Sequence, residues 1–346
     1  MLGKYRAFLQ VLCTNCYTAC MELLITHESA LQYWRLHGKS HRNLLRRQHQ
    51  GVPPAIPPTD LALHQTKSLG LALPMEISVS KPSGRRTTHS IRSHVLSKTL
   101  PGSCFVKLTE EVYVSSPELC FLQMAAKLPL VKLIELGFEL CGSYSLPGHS
   151  TPSSEDKGDD LKTNTDNLII RPPLTSSKRL SVLLARKELV PGSIQARRAL
   201  RHITDNSASP METKLTMLLS LPQKLGGYGL PMPILNARIN PAKSAKKSTD
   251  KTHFSCDLFW PTANLAVEYD SDTHHTGPER IASDSKRRNT LSSIGILVIT
   301  VTNRQVRSRT EFEKTTRLIA TNMGHRLQLR NKDFVSKQNS LRAQLL

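Results

Sequence analysis

Aromatic residues are scarce in this chain. Phe, Trp and Tyr make up 5% of its 346 residues, and only two are Trp. A protein that grips single strands by stacking bases on rings needs more, so that mode is not indicated. Acids are also few, 27 against 47 Lys and Arg, which leaves a formal net charge of +20. That excess departs from the balance of an ordinary enzyme and suits a polyanionic partner. The seven cysteines cannot all pair, and their spacing is not that of a secreted framework. A reducing, cytoplasmic setting is therefore expected. No segment is long and apolar enough to span a membrane.

The first twenty residues carry little that is specific. Cys13, Cys16 and Cys20 cluster there, with His27 as a conceivable fourth zinc ligand. The spacing matches no recognised finger, so residues 1–20 read as an extension. Lys4 and Arg6 precede an apolar run as in a signal peptide. Gln10, Thr14 and Asn15 interrupt that run, and no clean cleavage site follows. Basic residues recur at 42–47, 85–98, 243–251 and 280–288. Each run alone reads as a solvated face; together they favour nucleic acid, with Lys243, Lys246, Lys247, Lys286, Arg287 and Arg288 as phosphate contacts.

What is present, and informative, is a hairpin with acids on both strands. His253-Phe254-Ser255-Cys256-Asp257-Leu258-Phe259-Trp260 and Leu265-Ala266-Val267-Glu268-Tyr269-Asp270 flank Pro261-Thr262-Ala263-Asn264. Both flanks alternate as half-buried strands do, which puts Cys256, Leu258 and Trp260 on one face. A turn at 261–264 pairs Trp260 with Leu265. Continued, that register sets Asp257 opposite Glu268 and Ser255 opposite Asp270. Opposed like charges repel, so three acids on one face call for a cation or raised pKa values. A hard divalent ion such as Mg²⁺ (or Mn²⁺) meets that need.

The surroundings extend the pattern. Ser209-Pro210-Met211-Glu212 opens a helix with apolar Leu215, Leu218 and Leu219. Glu212 reads either as the far half of a capping box or as a metal ligand. Strand-like residues 231–235 follow. After the hairpin come His274 and His275, a basic helix over 278–294 and an apolar strand over 296–301. The order helix, three strands, helix, strand, with acids at these places, resembles the PD-(D/E)XK nuclease superfamily. More narrowly, residues 196–310 resemble the very-short-patch-repair-like endonuclease domain of uncharacterised actinobacterial proteins. Asp257, Glu268, Asp270 and either His274 or His275 match its core motif. Asp284, Arg287, Leu291 and Gly295 match its helix motif. Ser271 stands where Gly is usual, and Asp270 where most of the superfamily has Lys. The resemblance implies an α/β (α+β) restriction-endonuclease-like core, a mixed sheet flanked by helices. It further implies metal-assisted phosphodiester hydrolysis on duplex DNA, with Asp257, Glu268 and Asp270 at the metal and a histidine as base.

The first half, residues 21–148, resembles the middle region of AbiE-type antitoxins, chiefly in Ser116-Pro117-Glu118 and the helix after it. That implies a separate α+β domain and admits a toxin or other protein partner. Strands are expected at 73–79 and 90–96, helices at 117–128 and 130–141. Residues 51–60 hold four prolines and read as a loop. Residues 149–195 read as a linker with a helix over 177–187, and residues 311–346 as one basic helix. The competing function is a non-catalytic DNA-binding regulator or antitoxin on a nuclease scaffold.

Overall fold

Among the described residues helices hold more of the chain than strands, and most of the strands are short. The computed structural model describes residues 23–40, 69–96, 100–147, 168–186, 190–239, 253–270, 278–329 and 332–346. These form two compact units, one holding the described residues up to 120 apart from 37–39, the other holding the rest. The Cys13–Cys16–Cys20 cluster, the 51–60 loop, residues 149–167 and 187–189 of the expected linker, Lys243, Lys246, Lys247, His274 and His275 lie outside the described residues.

The first unit is a mixed five-stranded sheet. Its strands are β1 (Leu23–Ile25), β2 (Met75–Val79), β3 (Ile91–Val95), β4 (Phe105–Lys107) and β5 (Val112–Ser115), in the order β3-β2-β1-β5-β4. β2 and β3 lie within the spans 73–79 and 90–96 expected for strands. β1 is only three residues long, yet it pairs antiparallel with β2 and parallel with β5, which makes it the centre of the sheet. α1 (His27–His37) leaves β1 directly. Trp34, fully buried, donates its indole N–H to the Ser115 carbonyl at 2.7 Å and fixes that helix to the sheet. α2 (Pro117–Met124) starts as expected: the Ser116 hydroxyl accepts from the Leu119 N–H, and Pro117 occupies the first helical position.

The second unit opens with α3 (Leu130–Cys141), where sequence reading sets it. Nine of its residues are buried, including Leu133, Ile134, Phe138 and Leu140. It packs on α5 (Ser193–Leu200) and α6 (Pro210–Ser220). A helix apolar on so much of its surface needs partners on several sides. It therefore belongs to this unit, and the division falls near residue 120 rather than in the 149–195 segment. β6 (Tyr144–Ser145), β7 (Ile169–Ile170) and α4 (Ser177–Leu184) complete this part.

The rest is a mixed four-stranded sheet flanked by helices. β8 (Ile234–Ile239), β9 (Phe254–Trp260), β10 (Leu265–Asp270) and β11 (Leu297–Thr302) lie in the order β11-β10-β9-β8. β10 and β11 are parallel, joined through α7 (Pro278–Ser293), and the other pairings are antiparallel. After β11 comes the short α8 (Asn303–Arg307), and the single helix expected over 311–346 is two, α9 (Arg309–Asn322) and α10 (Phe334–Leu345). Gly324, at φ +64°, turns the chain out of α9. α10 returns against the loop after α6. Phe334 meets the Tyr228 ring edge-on at 5.3 Å, and Phe312 lies 5.9 Å from the same ring. Gly226, at φ +92°, lets that loop approach so closely that a Cβ there would collide with the Lys337 carbonyl oxygen. No helix among the described residues is long and apolar enough to cross a membrane.

Candidate metal and nucleic-acid site

The hairpin register is the one the turn dictates. Trp260 pairs with Leu265, Phe259 with Ala266 and Leu258 with Val267. Asn264, at φ +46°, makes the left-handed residue that the turn needs. The regular ladder ends at Leu258 and Val267. There the Asp257 carboxylate accepts the Tyr269 backbone N–H at 2.9 Å. A side-chain oxygen thus stands in for a backbone carbonyl, and alternation changes phase. Phe254 and Cys256 pack in one apolar cluster with Ala266, Leu291 and Ile296, and Phe259 packs against the same cluster. Phe259 is three residues beyond Cys256, an odd step that simple alternation forbids. Cys256 therefore joins the face that carries Phe259, not the face expected from its spacing to Leu258.

Glu212 sits in the first turn of α6. The Ser209 hydroxyl accepts from its N–H at 3.2 Å, which is one half of the capping box. The other half is altered. The Glu212 carboxylate takes the Ala208 N–H (2.8 Å), the Ser209 hydroxyl (2.9 Å) and the Asn236 amide (2.6 Å). Asn236 is in β8 at φ +48°, so this carboxylate ties the helix start to a strained position of the sheet. Burial drives the Glu212 carboxyl up to about 7, and the charge of Asp257 nearby adds to the rise, against the pull of the three donors. Asp257 is raised too, chiefly by burial, partly offset by the Tyr269 N–H and by Arg287.

Glu268 has a different neighbour. Arg287, on α7, holds it at 2.5 Å from Oε1 and 3.1 Å from Oε2, and also donates to the Ser255 carbonyl. Arg287 thus has a carboxylate partner inside the protein, while Lys286 and Arg288 on either side of it are exposed. Asp270 ends β10 and is exposed. The sequence-predicted acids are therefore drawn into separate settings: Asp257 with Glu212, Glu268 with Arg287, Asp270 towards solvent. Among the described residues, one group of three His, Cys, Asp or Glu side chains has its ligand atoms all within 4.8 Å, and it lies in the first unit at His27, Glu76 and His94. The second-unit acids fit a cation in part. The Glu212–Asp257 pair is two carboxyls whose raised pKa values a cation would relieve. Sequence reasoning missed Asn236, whose role depends on a fold contact, although an Asn in a strand is itself a weak signal.

Comparison of the chain with protein-family models, with curated proteins and with solved structures finds no match.

Proposed function

We propose that the chain is a metal-dependent DNA endonuclease of the very-short-patch-repair-like type. The observation that carries this reading is the pair Glu212–Asp257, two acids with raised pKa values where β9 and β10 part at the start of α6. Asp257 would hold Mg²⁺ or Mn²⁺ with Glu212 beside it, and Glu268 and Asp270 would join them only once Arg287 releases Glu268 and Asp270 turns in from solvent. Once bound, the ion would offset charge on the phosphodiester and lower the pKa of a water. Tyr269 N–H orients the Asp257 carboxylate. Glu212, held by three donors, keeps a fixed position and carries a proton until the pH rises or a cation displaces it. Lys286 and Arg288, exposed on α7, hold the DNA backbone without reading bases, and Lys243, Lys246 and Lys247 are proposed phosphate contacts on the charge of their segment alone. His274 or His275 is the base.

The test is plasmid nicking by purified protein titrated with Mg²⁺ and Mn²⁺, beside Asp257→Asn. Asn keeps an oxygen to accept the Tyr269 N–H, so fold and charge are separated. Nicking that needs metal and is lost in the variant supports the proposal. Equal activity in both sinks it. A second reading has its own observation. Arg287 occupies both oxygens of Glu268, as it would in a nuclease scaffold kept only to bind DNA or a toxin. Tight duplex binding without cleavage in any metal tested would select that reading.

A further inference from the structure

We propose that His27, Glu76 and His94 form a site for a divalent transition-metal ion of the zinc class, separate from the second unit's acids. Two of the three are on adjacent strands of the first unit's sheet, and the third opens α1. His27 follows β1, Glu76 is in β2 and His94 in β3, and the sheet order is β3-β2-β1. Ser78 pairs with His94 and Glu76 with Arg92, so Glu76 and His94 lie diagonally on one face. His27 is brought over them by a left-handed backbone, φ +52°, that a non-glycine residue seldom adopts.

The chemistry of the set fits. One atom from each side chain lies within 4.8 Å of the others. The His27 Nδ1 is 3.0 Å from the Thr26 hydroxyl oxygen, which itself accepts from Ser78. An Nδ1–H donated to that hydroxyl is the outer-shell arrangement that ligating histidines use. The His94 Nε2 is buried and has no hydrogen-bond partner. Its nearest acid, Glu76 Oε1, is 3.6 Å away, too far for a hydrogen bond. Glu76 is buried, and the Glu28 N–H secures its Oε2 at 2.9 Å, which leaves Oε1 directed at His94. Arg92 also lies 3.6 Å from Oε1, but its side chain is 56% exposed and can swing into solvent. Two imidazoles and one carboxylate suit zinc-class ions better than Mg²⁺, which takes oxygen donors. The imidazoles stack with centroids 3.8 Å apart and planes 26° apart. A shared ion would require the rings to turn out of this stack so that their lone pairs converge.

The test titrates the full chain, stripped of metal, with Zn²⁺ and Co²⁺. Wild type should take up one equivalent that His94→Ala and His27→Ala each lose. The Co²⁺ spectrum should show a nitrogen–oxygen site with no thiolate charge-transfer band, which separates it from the cysteines near the N-terminus. Thr26→Val should bind about 10-fold more weakly, the lower end for loss of an outer-shell partner. Zn²⁺ should raise the thermal midpoint of wild type and not of His94→Ala. Should His94→Ala fail to fold, imidazole NMR of the wild type decides, since the ring nitrogens of His27 and His94 must shift on Zn²⁺ addition. Full stoichiometry in both histidine variants, or unmoved ring signals in the wild type, overturns the proposal.

Discussion

Arg287 grips Glu268 through both carboxylate oxygens, at 2.5 and 3.1 Å, and pins the helix after the hairpin to the hairpin itself. Their side chains are only 27% and 16% exposed. Removing one partner leaves the other charge in a poorly solvated place. Arg287→Ala should destabilise the chain by about 2–3 kcal/mol, less than the ~3–5 of a fully buried pair. Glu268→Gln should cost less, because Gln still accepts from the guanidinium. Urea unfolding of both variants measures this. Near-zero effects would show the pair to be a surface contact.

Stability should fall between about pH 4.5 and 7 because of Glu212. Its folded pKa, about 7, lies above its ordinary 4.5, so the folded state holds a proton that the unfolded state has released. Stability then declines as pH rises through this window and levels off above it. The full effect is at most about 3 kcal/mol. Glu212→Gln, which cannot ionise, should flatten that part of the profile. An unchanged slope in the variant would show that other groups cause it.

Metal uptake should release protons. If a divalent cation binds beside Glu212 and Asp257, it displaces the Glu212 proton, so affinity for Mg²⁺ should rise up to about pH 7 and then plateau. Calorimetry at pH 6 in buffers of different ionisation heat counts the protons. Release well below one per ion would place the ion elsewhere.

Asn236 should tolerate Gly better than Ala. Both lose the 2.6 Å bond to Glu212, worth roughly 1.5–3 kcal/mol above about pH 7 where that acceptor is charged, and about half as much below it. Ala adds roughly 1–2 kcal/mol for the left-handed backbone at φ +48°, which Gly adopts freely. Either change should push the Glu212 carboxyl higher still, because a donor that favours its charged form is gone. Thermal unfolding and carboxyl NMR check the two halves of this prediction.

Duplex binding should weaken steeply with salt. Replacing exposed Lys286 and Arg288 together should reduce the magnitude of the log–log salt slope by about 2, because each side chain neutralises one phosphate. Sequence preference should not change. A slope equal to that of wild type would remove α7 from the DNA interface.

Local signals were legible and long-range ones were not. The helix starts at Ser116–Pro117 and Ser209–Pro210 depend on caps a few residues long, and both stand where the sequence puts them. The hairpin register follows from one turn, and Trp260 does pair with Leu265. The phase change at Asp257 was hidden, because it needs a side-chain carboxylate to take a backbone N–H twelve residues away. β1 was hidden for the same reason. Three residues cannot show a period, and its partners lie in β2 and β5. His27, Glu76 and His94 meet only once the sheet order is known. The break between α9 and α10 turns on Gly324 and on the packing of Phe334 against Tyr228, neither of which disturbs the apolar spacing of Phe312, Thr316 and Ile319.

The fit of Gly226 under the Lys337 carbonyl bears on how this unit assembles. Those residues are more than a hundred positions apart, and closing so long a loop is entropically slow. Tyr228 and Phe312 cannot be covered until α10 has docked. The helices and hairpin should thus form early, around an open groove that exposes aromatic surface, and the last helix should shut it in a later step. Stopped-flow refolding would resolve that step as a phase slowed by Gly226→Ala, while hairpin formation keeps its rate.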